Sequence, residues 1–142
     1  MTDVTIKRID DMEAVFDGQI LRARAELGVT SFGMQVVRLP ANWEHYLEHA
    51  HDERLPSSRD AANVGQEEVY IPLDGTATLV VDGEDHRLEP GMMARVGPTS
   101  VRHVVTGDEP FEMLAVGGVP GAVYVPPAFT GLGAPVRARV EA

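Results

Sequence analysis

Three histidines and one glutamate stand in two short, glycine-bounded blocks of this chain. The first block is Glu48-His49-Ala50-His51, followed by a polar stretch and then Gln66 to Gly75. The second runs from Leu88-Glu89-Pro90-Gly91 to Gly97-Pro98-Thr99-Ser100-Val101-Arg102-His103. Residues two apart on a β-strand point to the same face, so His49 and His51 can grip one ion from a single strand. Glu68 and His103 must then come from neighbouring strands. A mixed imidazole and carboxylate set suits one divalent transition metal ion, whether iron, manganese, nickel, cobalt or zinc. Tyr70 shares the parity of Glu68 and is the candidate catalytic side chain, with core packing as its alternative role.

The elements that must position these groups are short strands. Fourteen glycines and ten prolines are spread along the chain and interrupt brief apolar runs. That spacing predicts an all-β fold, a sandwich or barrel, with a short N-terminal helix at most. The helix falls on Asp10 to Phe16, capped by Asp10 or Asp11. Leu21 to Glu26 alternates apolar and charged, as a half-buried strand does. Phe32 to Leu39 is a strand ended by Pro40. Val69 to Leu73 and Thr76 to Val81 flank the turn Asp74-Gly75, and Asp82-Gly83 is a second turn of the same kind. Met92 to Val96, Val101 to Thr106 and Phe111 to Val116 complete the strands. Met92, Ala94 and Val96, with Val101 and Val105 beside His103, are expected to fill the interior, and Met113 joins them from the last strand. The stretch 117–142 reads as extended coil lying on the barrel and fraying near Arg137 to Ala142. No internal repeat or second domain boundary is visible, so residues 1–142 are expected to form one domain.

Other residues weigh less. His45 has the parity of His49 but stands before the expected strand, and His86 follows a turn and belongs to solvent. Glu67 points away from Glu68. Arg38, Arg95 and Arg102 are candidates to meet an anionic substrate, although surface charge is the commoner role. Trp43 and Tyr46 suit a barrel mouth.

Composition excludes several functions. Lys and Arg number 12 against 22 Asp and Glu, a formal charge of −10. Neither a nucleic-acid phosphate backbone nor an anionic membrane surface fits such a balance. There is no cysteine, which removes disulfides, thiolate ligands, Fe–S clusters and a cysteine nucleophile. The N-terminus lacks an apolar h-region, and a cytoplasmic location is expected. No phosphate loop or dinucleotide fingerprint is present.

In these motifs the chain resembles the cupin superfamily of small antiparallel jelly-roll barrels. The first cupin motif is matched by His49-x-His51 and by Glu68 with six residues before Gly75. The second is matched by Pro98-x-Ser100, two residues and His103, preceded by Pro90-Gly91. The matches cover about residues 43–107. Trp43, Ser100 and Gly107 depart from the family pattern, and an inserted loop over 52–65 lengthens the gap between His51 and Glu68 to sixteen residues. None of these changes removes a ligand, and a longer loop is cheap in closure entropy, at ~0.6 kcal/mol per doubling. The resemblance implies His49, His51, Glu68 and His103 as metal ligands, a small-molecule substrate and a homodimer. It implies oxygenase (dioxygenase) or lyase, isomerase or cyclase chemistry, without choosing among them. A non-catalytic module that binds metal or a small ligand is the alternative. The inserted loop is a candidate lid.

Overall fold

The computed structural model describes residues 2–46, 51 and 64–135 of the 142-residue chain. Its turns decide what pairs with what. Asp82 and Gly83 both have positive φ, 48° and 79°, the backbone of a two-residue turn matched to strand twist. They close a hairpin between β5 (Ala77–Val81) and β6 (Glu84–Leu88), with Val81 opposite Glu84. β6 was not expected as a strand. Glu84, Asp85, His86 and Arg87 are all exposed, so no apolar alternation marks it.

Asp74-Gly75 turns the chain differently. Gly75 has φ 77°, and a Cβ there would run into the Pro110 carbonyl oxygen. The strands on either side, β4 (Glu67–Asp74) and β5, lie in different sheets. The dipeptide is thus a corner between layers.

Two antiparallel sheets result, and together they form the expected jelly roll. β1 (Ala14–Val15), β2 (Ile20–Leu21), β3 (Gly33–Leu39), β7 (Ala94–Val96), β8 (Arg102–Thr106) and β9 (Phe111–Gly118) complete the strands among the described residues. The larger sheet has the order β1-β2-β3-β9-β4-β7, and the smaller β6-β5-β8. Val37 stands opposite Met113, and Leu39 opposite Phe111. These four join Tyr70 and Val96 on one side, and Ala77, Leu79, Leu88 and Val104 of the smaller sheet on the other, in a single core. Each large apolar side chain so buried contributes about 1.5–3 kcal/mol.

The alternate residues of β3 face the other way. Val36 packs with Met12, Leu21 and Ala23 in a second cluster beneath α1 (Ala23–Leu27). This helix corrects the strand expected over Leu21 to Glu26. Ala, Arg, Glu and Leu are all strong helix formers, and Gly28 ends the helix in the left-handed conformation, its N–H reaching Ala25 and Arg24 carbonyls. The helix expected over Asp10 to Phe16 is also corrected. Only a 3-10 turn, Ile9–Asp11, forms there. Phe16, Asp17 and Gly18 all take positive φ and reverse the chain, so that Val15 pairs with Ile20 instead.

After β9 the chain runs as coil with one 3-10 turn, Ala128–Thr130. The coil is tied to the N-terminal hairpin. Phe129 packs against Phe16 with centroids 5.8 Å apart. Arg22 Nη2 donates to the Ala134 carbonyl at 3.1 Å, and the Gly133 N–H to Glu13 Oε1 at 2.8 Å. The expected fraying over 137–142 lies outside the described residues. Among those residues no helix is long and apolar enough to cross a membrane.

Candidate functional site

The site grows from alternation along β4 and β8. On β4, Tyr70 lies in the core, and Glu68, two residues back, shares its face. Glu68 stands opposite Val96 of β7 and Gly117 of β9. On β8, Arg102, Val104 and Thr106 are buried, which makes theirs the inner face. His51 enters from outside both sheets. Its N–H donates to the Pro98 carbonyl at 2.8 Å, and its own carbonyl accepts from the Gly65 N–H at 2.6 Å. The imidazole is therefore anchored between the loop before β8 and the return toward β4.

These elements converge on one oxygen. Glu68 Oε1 accepts from His51 Nε2 at 3.0 Å and from the Tyr70 hydroxyl at 3.0 Å. Arg102 Nη1 lies 3.4 Å from the same atom, and Arg102 Nη2 donates to the Gly97 carbonyl at 2.5 Å. Arg102 and Tyr70 are fully buried, and His51 is 6 % exposed. Burial, and then the charge of Glu68, push the Tyr70 hydroxyl well above the usual phenol range. Tyr70 therefore keeps its proton and serves as a donor.

The expected ligands are brought together in part. His51 and Glu68 meet, with Tyr70 beside them. His49 lies outside the described residues. His103 is half-buried on the other face of β8, opposite Val80, and Val105 shares that face. Among the described residues no three of His, Asp and Glu stand close enough to share an ion. One imidazole nitrogen and one carboxylate oxygen in a nearly dry space fit a divalent cation as two of its ligands. At the β8 position between these groups and the core stands a guanidinium.

Arg102 is the residue that sequence reasoning misplaced. The strand reads Arg-His-Val-Val-Thr, so each face carries one valine and an apolar count does not choose between them. Of the expected interior residues, Val96, Tyr70 and Met113 are in the core, whereas Met92 is exposed. Arg38 is an ion-paired surface residue, bound to Glu112 and Asp10. Glu67 turns outward and pairs with Arg95 at 2.6 Å. His86 is exposed, and His45 packs edge-on against Trp43. Trp43 and Tyr46 border the core. A shallow depression of about 420 Å³ lies on the far side of β4, lined by Phe32, Val69, Arg95, Val116 and Pro120 among others. Its lining is mainly apolar, and its charged side chains, Glu67 and Arg95, pair with each other.

Comparison with known proteins agrees with this architecture. The family model of the cupin domain matches residues 59–117. A cupin protein from Bacteroides fragilis is 21% identical, with TM-score 0.64 over 97% of this chain and 100% of that one. A structure described as a sugar phosphate isomerase of the cupin superfamily, from Silicibacter pomeroyi, is 25% identical, with TM-score 0.61 over 80% and 75%. A protein from Photorhabdus luminescens is 16% identical, with TM-score 0.57 over 84% and 90%. Among curated proteins no sequence matches this chain.

Proposed function

Because the chain belongs to the cupin superfamily, we propose that it is a metal-dependent cupin enzyme acting on a small organic metabolite inside its barrel. The observation that carries this reading is the buried contact of His51 with Glu68, at 3.0 Å. An imidazole and a carboxylate turned toward each other in a nearly dry interior are the donor types a divalent transition metal takes. Held by His51 and Glu68, with His49 as a further ligand, such an ion would supply Lewis acidity or oxygen activation.

The chain's own residues supply the surroundings. Tyr70 holds a proton at its hydroxyl and orients Glu68 by donating to Oε1. Val96, Val104 and Met113 exclude water beside these polar groups, which strengthens every charge interaction there. Arg102 keeps a positive charge against Glu68. The reaction is of oxygenase, lyase, isomerase or cyclase type, and the likeness to the sugar phosphate isomerase supports the isomerase class. A homodimer and a cytoplasmic location belong to the same proposal.

A second reading rests on β8. Arg102, and not His103, occupies its inner face, so the guanidinium itself can be the permanent counter-charge of Glu68. The protein would then be a non-catalytic small-ligand module. Metal analysis of chain purified without a metal-affinity step decides between the two. One metal per chain, lost in His51→Ala and in Glu68→Gln, is expected for the enzyme. Full occupancy in a His51→Ala/Glu68→Gln double variant, or no metal in the wild type, overturns it.

A further inference from the structure

A charged group buried without enough partners is a demand that something else must meet. Arg102 is fully buried on the inner face of β8. Its Nη2 is occupied by the Gly97 carbonyl. Among the described residues its Nε and Nη1 have no hydrogen-bond partner. Among the described residues Glu68 is its counter-charge, but Nη1 stands off Oε1 by 3.4 Å, and that oxygen already accepts from His51 and Tyr70. Among the described residues that oxygen is shared by His51, Tyr70 and Arg102, and the guanidinium is incompletely satisfied. Among the described residues Arg22 and Arg24 are also buried with an unpartnered Nε, but only Arg102 leaves an Nη unpartnered as well. Arg38 and Arg95 meet carboxylates at the surface, and Arg22 is held by Glu13 and the Ala134 carbonyl.

We infer that the barrel interior takes a ligand bearing an oxyanion, a carboxylate or a phosphate ester, and that Arg102 is the residue that binds it. The guanidinium is a planar fork of N–H donors whose geometry matches these groups. The Tyr70 hydroxyl, which donates to Glu68 Oε1 at 3.0 Å, holds that carboxylate beside the guanidinium. The inference rests on the interior being the ligand site, and not on a metal being bound there. It narrows the substrate class to small anions. It also makes Glu68 a competitor of the ligand for Arg102, so that neutralising Glu68 frees the arginine.

The test is calorimetric titration of the full chain, stripped with a chelator, using malonate and inorganic phosphate as separate probes. Ionic strength is held constant with chloride, which serves as the reference anion. Saturable binding of at least one probe is expected, and the preferred probe identifies the carboxylate or phosphate source. Arg102→Gln should weaken it by about tenfold or more, the scale of a lost charge-assisted fork. Arg102→Lys should weaken it less, and Glu68→Gln should tighten it. Binding no different from chloride, or unchanged in Arg102→Gln, overturns the inference. Should Arg102→Gln fail to fold, Glu68→Gln decides: tighter binding supports the inference, and unchanged binding overturns it. Metal content is read on the same preparations. Arg102-dependent anion binding by a chain that never holds metal would sink the metal reading alone; metal binding with no anion response would sink this inference alone.

Discussion

Single residues here matter through what surrounds them. Gly75 and Gly83 look alike in sequence, each following an aspartate in a turn. Both have positive φ, 77° and 79°, but a Cβ on Gly75 meets the Pro110 carbonyl, while the space around Gly83 is open. Gly83→Ala should therefore lose only the left-handed backbone preference, about 1–2 kcal/mol. Gly75→Ala adds a backbone clash at the corner between sheets and should lose more, about 3–5 kcal/mol in urea unfolding. Equal losses would mean that the corner relaxes freely. Tyr70 gives a pH prediction. Its folded pKa is raised above the ordinary 10.0, first by burial and then by Glu68. The folded barrel thus binds the phenol proton more tightly than the unfolded chain does. That contribution is complete below the ordinary value and is lost as pH climbs through the raised one. Tyr70→Phe should flatten the decline of stability above about pH 9; parallel declines would show that Tyr70 titrates alike in the folded and unfolded states. The sequence made the shared face of Glu68 and Tyr70 readable from strand parity, and the two side chains do meet. It hid Arg102, because an arginine's burial depends on which of two equally apolar strand faces turns inward.

At the scale of elements, turns were readable and short helices were not. Asp82-Gly83 states its own geometry through residue type. Leu21 to Glu26 did not, because its alternation over six residues suits a strand as well as a short helix. The helix wins through the left-handed Gly28 that stops it and the apolar patch of Met12 and Val36 beneath it. The C-terminal coil is held by specific polar ties instead of a strand ladder. Glu13 accepts from the Gly133 N–H and pairs with Arg22, and it lies below its ordinary 4.5, chiefly through the Gly133 bond. A lowered folded pKa gives a contribution present above the ordinary value and lost as pH falls through the lowered one. Acid should therefore release the coil from the hairpin before the sheets unfold. Hydrogen exchange at Gly133 would show this as a step below about pH 4, with Glu13→Gln already exchanging fast at neutral pH. A protected Gly133 amide in that variant would assign the tie elsewhere, to Arg22 and the Ala134 carbonyl.

For the whole molecule, the decisive fact is that both sheets contribute to one core, while the site is assembled from chain regions far apart in sequence. The core joins Val37, Leu39, Phe111 and Met113 from the larger sheet to Leu79, Leu88 and Val104 from the smaller. His51 and Glu68 reach the site across the sixteen-residue gap of 52–67, which is the largest departure from the cupin pattern. The structure shows how the gap is tolerated. The Gly65 N–H meets the His51 carbonyl at 2.6 Å, so the ends of the inserted sequence are already closed, and His51 is tied separately to Pro98. The expected lid over 52–65 falls mostly outside the described residues, and the junction makes a prediction that needs no lid. Replacing residues 53–63 by a short glycine-serine turn should leave the fold and the His51–Glu68 contact in place. With a two-residue turn the gap shortens from sixteen residues to seven, a little over one halving, so closure entropy alone should stabilise the chain by about 0.7 kcal/mol. Chemical denaturation with an unchanged slope and a slightly raised midpoint is the expected result. A lowered midpoint would mean that the inserted sequence packs on the barrel and adds stability of its own.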